Sequence, residues 1–471
     1  MCGLIGVVTS DIPGDEPLDL AEMVSVFARL EEGEPAPTRL DEASDWVDAL
    51  FGFPNFYQAL RDDDWRDAIS VAGRVLSRCA ARLEQQRDEA GGVAEQERLA
   101  SAANRCRDLA WRLEEDLLPN LDKVRGLVDR SAGLTRSHAF VLWQLNTLLN
   151  GIDRLEVRGR DSAGVAVHVY FPGPEVLSRF CADATRARGL AGREALADFV
   201  SGAVRRVVSG AGRSASPDCL LFVYKVASEV GEMGENVAAL RAQIRGDRLF
   251  HDALNVAGVR TQALAHTRWA SNGIVSEANC HPLDNGREGP DGSSVVPSVS
   301  VISVLNGDID NYQSVKKELA REGWRIPAAI TTDAKVISLR IERNVARGMS
   351  FEEAFRHAVT SFDGSMAIAV QSSLCPGKTF LALRGSGQSI YIGVTPRGYV
   401  FASELYGVVE ETQRFIKMDG EKERCPGDAG TTGQIAVLDA GWEDGTVPGV
   451  SLTYYDGTPL PPSEREERKT E

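Results

Sequence analysis

The spacing of apolar residues divides the 471-residue chain into stretches of different character. Cys2 to Thr9 is a short continuous apolar run, the pattern of a strand buried on both faces. The sequence that follows, to about residue 60, is acidic and Pro-containing and reads as loop. The most regular pattern comes next. Trp65, Ile69, Ala72, Leu76, Cys79 and Leu83 advance in alternating steps of four and three. Leu99, Ala103, Cys106, Ala110, Leu113 and Leu117 repeat that rhythm after Gly91-Gly92. Two heptad-patterned helices joined by a glycine turn predict an antiparallel helical hairpin over 62–130, with arms of roughly 30 Å if each holds about 20 residues. The pattern runs on through Leu121 and Val124 past Pro119, where a kink is expected.

Beyond the hairpin the periods shorten. Residues 139–149 read as helix, 163–171 as strand, 185–217 as a helix plus a flexible loop, and 220–244 as a strand leading into a helix. Residues 284–298 form a polar, turn-rich loop. Short helices are predicted at 314–321, around Ile337, Ile341 and Val345, and at 351–360; strands follow at 365–371, 379–383, 389–394 and 398–403. Strands and helices in separated runs indicate an α+β fold. The Gly-containing strings SGAGRS at 209–214 and RGSGQS at 384–389 match no phosphate-binding fingerprint and read as loops.

Composition narrows the function classes. Acidic residues outnumber basic ones, 68 to 52, for a formal charge of -16, which disfavours a nucleic-acid partner. No apolar run approaches the roughly 18 residues of a membrane span, and the acidic start lacks a signal peptide's basic region. The eight cysteines include no CxxC pair, so neither a zinc site nor a disulfide framework is suggested. A reducing cytoplasm is the expected location, and it keeps a catalytic thiol free.

Cys2 is the residue with the most chemistry to offer. A small second residue favours removal of Met1, leaving a cysteine with both a thiol and a free α-amine. The amine, with a pKa near ~8, is a general base for the adjacent thiol. An isolated Met-Cys start more often marks a packed strand residue, so other motifs must decide. MCGLIGVV at the start, LEVRGRDSAGVAV at 155–167, ALAHTRWASNG at 263–273, LNGDIDNY at 305–312 and TTDAKVI at 331–337 follow one another in an order that resembles the class II glutamine amidotransferases. The likeness is strongest to the glutaminase half of the isomerising glutamine–fructose-6-phosphate aminotransferases, that is, glucosamine-6-phosphate synthases. LALRGSGQSIYIGV at 381–394, FASE at 401–404 and TQRFIKMDGE at 412–421 fit the later part of that half.

The resemblance implies a four-layer αββα N-terminal-nucleophile sandwich with the helical hairpin inserted. It implies attack by Cys2 on the side-chain amide of L-glutamine, release of ammonia and hydrolysis of a glutamyl thioester, with no metal or redox cofactor. By position, Asn306 and the Gly307 N–H are the oxyanion donors, Arg268 binds the substrate carboxylate and Asp333 its ammonium. Trp269 covers the site or packs as core, Ser271 and Asn272 belong to the pocket rim, and Arg158 and Asp161 shape the site, hold Cys2 or form structural ion pairs. His266 reads as a packed structural histidine. The chain departs from the pattern where Leu305 replaces the usual His before the oxyanion Asn, where Ser271-Asn272 replaces Thr-His, and where Arg160 replaces Tyr.

These readings assign 1–61 and 131–450 to the glutaminase domain, with an accessory insertion at about 172–217, and 62–130 to the hairpin, either a solvated decoration or a partner surface. Residues 451–471 read as a linker toward a sugar-isomerase half on a longer chain or a separate subunit. Two rivals are a cysteine amidase for non-amino-acid amides and a non-catalytic scaffold. The paired Arg268 and Asp333 argue against the first, and an intact Cys2 with Asn306 against the second.

Overall fold

The structure is a computed structural model that describes the chain apart from residues 1, 11, 13, 15, 33–34, 130–133, 197–199, 209–217, 228–231, 271–272, 290, 296, 426, 428–431, 443–447, 462–466 and 471. The chain divides into two compact units, Met1–Asp11 with Thr147–Glu471, and Ile12–Asn146. The first unit holds the strands β1 (Gly3–Thr9), β2 (Ser162–Tyr170), β3 (Val204–Val207), β4 (Cys219–Ala227), β5 (Arg260–Arg268), β6 (Arg287–Glu288), β7 (Ser294–Val295) and β8 (Val301–Gly307). It continues with β9 (Met366–Ser372), β10 (Lys378–Arg384), β11 (Tyr391–Thr395), β12 (Gly398–Ala402), β13 (Arg414–Lys417), β14 (Gln434–Asp439), β15 (Gly449–Tyr454) and β16 (Arg468–Lys469). The helices are α1 (Leu20–Ala28), α2 (Pro37–Phe51), α3 (Phe53–Arg61), α4 (Asp63–Glu89), α5 (Val93–Trp111), α6 (Leu118–Arg125) and α7 (Arg136–Leu155). They are followed by α8 (Pro174–Ala182), α9 (Ala184–Glu194), α10 (Glu235–Gly246), α11 (Arg248–Leu254), α12 (Tyr312–Arg321), α13 (Lys335–Ala346) and α14 (Phe351–Thr360).

Two antiparallel sheets dominate the first unit. The larger has the order β16-β13-β11-β12-β1-β5-β2-β4-β3 and the smaller β15-β14-β10-β9-β8. Side-chain alternation explains how they stack, since successive strand residues face opposite sides. In β9 and β10, Ala367, Ala369, Leu381 and Leu383 join Leu4, Val8, Ala166 and Leu264 of the larger sheet in one core. The alternate residues Ile368, Val370, Phe380 and Ala382 face away, into a second core with Ile337 and Ile341 of α13 and Phe351 and Phe355 of α14. On the larger sheet, α10 packs against β2 and β4, and Phe250 of α11 meets the rings of Phe222 and Tyr224. Strands covered on both sides need apolar residues at nearly every position, which is why β1 reads GLIGVVT.

The second unit is helical. α4 and α5 run antiparallel, as the pairing of Arg107 with Glu84, Glu114 beside Gly73 and Arg66 with Asp122 requires. A π-helical segment, Arg112–Leu117, joins α5 directly to α6, and Pro119 follows it, where a local departure from the α-helical bonding pattern accommodates the missing N–H.

Two expectations need correction. Leu20–Ala28, Pro37–Phe51 and Phe53–Arg61 are helices, not loop, and they belong to the unit of 12–146. The acidic residues there occupy the outer faces, while Met23, Val26, Phe27 and Leu30, then Leu40, Ala43, Val47 and Leu50, recur at helical spacing and are buried. Asp19 caps α1 by accepting from the Ala21 and Glu22 N–H groups, and Pro37 and Pro54 sit in first turns. The second correction concerns 451–471. Gly449–Tyr454 pairs along β14, Leu460 is buried with its N–H on the Leu452 carbonyl, and Arg468–Lys469 pairs with β13. The sequence there reads as a solvated linker because charge also suits an edge strand such as Arg468–Lys469, which it protects from further pairing. Within 172–217, α8 and α9 precede β3, the outermost strand of the larger sheet; residues 209–214 lie outside the described residues.

Candidate active site

Strand pairing sets the chain start beside the HTRW string. β1 pairs with β5 in the register Gly3↔Thr267, and β2 pairs with β5 as Ser162↔Arg268. Cys2, one residue before β1, thus stands opposite Arg268, the last residue of β5, and its side chain reaches the next residue, Trp269. Its Sγ lies 3.4 Å from both the amide nitrogen and the carbonyl oxygen of Trp269. Burial pushes the thiol pKa up, and the Trp269 N–H and the Arg268 charge pull it back. A thiol held this way stays protonated near neutrality and needs a base to become a nucleophile.

The turn before β2 fixes the backbone behind the thiol. The Asp161 N–H donates to the Arg268 carbonyl at 3.1 Å, and its carboxylate accepts from the Ala270 N–H at 2.8 Å. Gly159 passes so close that an added Cβ would lie 2.5 Å from the Arg268 carbonyl carbon and the Trp269 nitrogen. Arg158 points elsewhere in the network, pairing with Glu404 at 2.7 Å and reaching the Tyr406 hydroxyl. So Asp161 orders the segment that touches Cys2, and Arg158 is tied into an ion pair with the FASE string. That string holds β1 directly: the Ser403 N–H donates to the Leu4 carbonyl, and the Leu4 N–H to the Ser403 hydroxyl.

β8, an edge strand of the smaller sheet, delivers the other half of the site. The Asn306 side-chain N–H donates to the Cys2 carbonyl at 2.8 Å. Gly307 has φ +91°, and a Cβ there would lie 2.1 Å from the Ser365 carbonyl oxygen, so only glycine fits. Asp333 is buried; its carboxylate accepts from the Ile309 N–H at 2.8 Å and the Thr332 hydroxyl at 3.2 Å. Burial raises the Asp333 pKa, and the nearby Asp308 raises it further. Arg268 is buried too, with its guanidinium on the Ile274 carbonyl at 3.3 Å; burial lowers its pKa while Cys2, Asp333 and Asp161 oppose the shift. Trp269 is 56% exposed. Ser271 and Asn272 lie outside the described residues.

His266 and three other residues carry parts of the site that motif reading passed over. The His266 ring is buried, with Nε2 2.9 Å from the Leu305 carbonyl and 3.1 Å from Asn306 Oδ1. Burial lowers its pKa to about 3, so it is neutral and no general base at physiological pH. Asn279 accepts from the N–H groups of Thr331 and Thr332 and so anchors the loop that carries Asp333. Asp308 adds a negative charge felt by both Cys2 and Asp333. Gln388 of the RGSGQS loop closes on Gly307. Nothing in the spacing marked Asn279 or Gln388.

No family model matches the chain. Among curated proteins it is 32% identical over 155 residues to glutamine–fructose-6-phosphate aminotransferase (isomerizing) of Bacillus thuringiensis subsp. konkukian, covering 33% of this chain and 23% of the relative. The enzyme of the same name from Methanothermobacter thermautotrophicus is 34% identical over 173 residues, 36% of this chain and 27% of the relative. These are the relatives to which the sequence motifs pointed, and the matched stretch spans about a quarter of their length. Among solved structures, glutamine phosphoribosylpyrophosphate amidotransferase from B. subtilis with ADP and GMP aligns at TM-score 0.38 and 15% identity, over 66% of this chain and 46% of that one.

Proposed function

We propose that the sheet-built unit is a glutaminase of the N-terminal-nucleophile kind. The observation that carries this reading is the Asn306 carboxamide of the far sheet on the Cys2 carbonyl, with two buried opposite charges, Arg268 and Asp333, close enough to influence one another. Glutamine carries an amide to be cut, a carboxylate and an ammonium, and the site offers a group for each. After loss of Met1, the α-amine of Cys2 takes the thiol proton and Cys2 Sγ adds to the side-chain carbonyl carbon. The oxyanion takes hydrogen bonds from Asn306 Nδ2 and the Gly307 N–H. Collapse expels ammonia, which leaves with the proton from the amine, and water hydrolyses the thioester to glutamate. Arg268 pairs with the substrate carboxylate and Asp333 with its ammonium, while Trp269 swings over the bound amino acid. The names of the relatives suggest where the ammonia goes, to a sugar phosphate in amino-sugar synthesis. A sugar-isomerase partner or domain would accept it.

The test is direct. Purified protein incubated with glutamine should release glutamate and ammonia, and intact mass should show loss of one Met from the active species. Cys2→Ala should abolish release, and a glutamine-like electrophile such as diazo-oxo-norleucine should label Cys2 alone. Full activity with Met1 retained, or dominant labelling of another of the eight cysteines, would sink the mechanism.

A further inference from the structure

We infer that His266 is a positioning residue: its ring N–H fixes which end of the Asn306 amide faces Cys2. The inference rests on the glutaminase reading and extends it to a residue that never touches substrate.

The polarity of the arrangement follows from two carbonyls. A carbonyl oxygen can only accept. His266 Nε2 lies 2.9 Å from the Leu305 carbonyl, so Nε2 carries the proton. The atom of Asn306 that faces this N–H at 3.1 Å must then accept, which makes it Oδ1. At the other end the Cys2 carbonyl, 2.8 Å away, demands a donor, which makes that end the NH2 group. Both constraints agree, and they leave one N–H of Nδ2 uncommitted to the Cys2 carbonyl and able to bind an oxyanion.

The surroundings hold the imidazole in that one form. His266 is fully buried between the sheets, in register with Leu4 on one side and Gly164 on the other. The ring of His281 lies 4.4 Å away, and its Nδ1 accepts from the Leu305 N–H at 3.4 Å. The two imidazoles thus take both outward backbone groups of Leu305, the residue before Asn306, on a strand whose other edge is paired to β9. Burial keeps His266 neutral, so one tautomer serves throughout the physiological range. Without that N–H, the Leu305 carbonyl and Asn306 Oδ1 would both lack this donor, and the amide would be held at one end alone.

The experiment is a double-mutant cycle with H266F and H266Q, each alone and with N306A, read by glutamine kinetics. We expect H266F to lower kcat by roughly 10-fold, about one hydrogen bond's worth, with KM little changed. H266Q, whose amide N–H has similar reach, should recover most of the loss. In the N306A background H266F should cost nothing further, because its effect passes through Asn306. An equal loss in both backgrounds would mean mere packing and overturn the role, as would wild-type kcat in H266F. Should H266F fail to fold, 15N NMR of the wild-type imidazole decides: the neutral Nε2–H tautomer supports the assignment, and the Nδ1–H tautomer or an imidazolium at pH 7 overturns it. Absence of glutamate from the wild-type protein would bring down the glutaminase reading and this role together.

Discussion

The helical unit of 12–146 and the sheet-built unit solve the same problem, burying apolar surface, in opposite ways. In the helices the partners are near in sequence or related by one turn. Residues at four–three spacing meet across α4 and α5, and charges decorate the outside in pairs such as Arg105 with Asp41 and Arg112 with Asp48. None of the residues placed in the candidate site lies there. In the sheets, groups from 2, 161, 268, 306 and 333 converge, and each is held by a partner hundreds or tens of positions away. Periodic packing spreads its energy over many equivalent contacts. A reactive centre concentrates it in a few bonds with fixed geometry, so the two regions should respond differently to the same kind of damage.

The sharpest contrast is at Asn306. Truncation to Ala removes one carboxamide and should lower kcat for glutamine by about 10²–10³-fold, the usual cost of an oxyanion donor. A rise in KM with kcat spared would show that the group binds substrate instead. Arg268→Ala and Asp333→Ala should do the reverse, raising KM chiefly, since each removes a charge partner of the substrate. Steady-state kinetics on the three variants separates the roles.

Excising the hairpin tests the helical side. α4 packs against α1 and α3, and α5 against α2. Removing 62–130 should therefore uncover Met23, Leu30 and Val47 and unfold the remaining helices of that unit, seen as lost helical circular dichroism beyond the excised residues. Glutamine hydrolysis should stay near normal. Loss of hydrolysis would break the comparison by making the helices part of the working site.

Acid should discriminate as well. His168 and His266, both in the sheet unit, are held near pKa 3 by burial, below an unfolded value near ~6.5. The unfolded chain then binds more protons between those values, so stability is full above pH ~6.5 and falls as pH drops toward 3. By pH 5 the loss should be roughly 2 kcal/mol per histidine. Hydrogen exchange at pH 5 and 7 should show β2 and β5 losing protection; equal protection at both would remove the buried-neutral assignment. The smallest effect belongs to Arg105→Ala, which breaks an exposed pair with Asp41 and should shift stability by no more than about 1 kcal/mol, without altering hydrolysis.

The sequence by itself determined the local half of this protein. Heptad spacing marked α4 and α5, because a helix's neighbours are fixed by a period of 3.6. The all-apolar run of β1 announced a strand covered on both faces, and the order of the motifs pointed to the chemistry proposed for Cys2, Arg268, Asn306 and Asp333. Helices α1–α3 were legible in principle, but acidic and proline residues masked a sparse apolar stripe. What only the tertiary structure decided is how distant pieces meet. Pairing of β1 with β5 put the thiol on the Trp269 amide, Asp161 and Gly159 closed on that same segment, and an edge strand offered Asn306 across the sheet interface. The role of His266 belongs here too. The resemblance suggested a packed histidine, and only the positions of two carbonyls, Cys2 and Leu305, reveal which way its proton points. Hydrogen-bond polarity depends on partners in space, and a linear pattern carries no record of them.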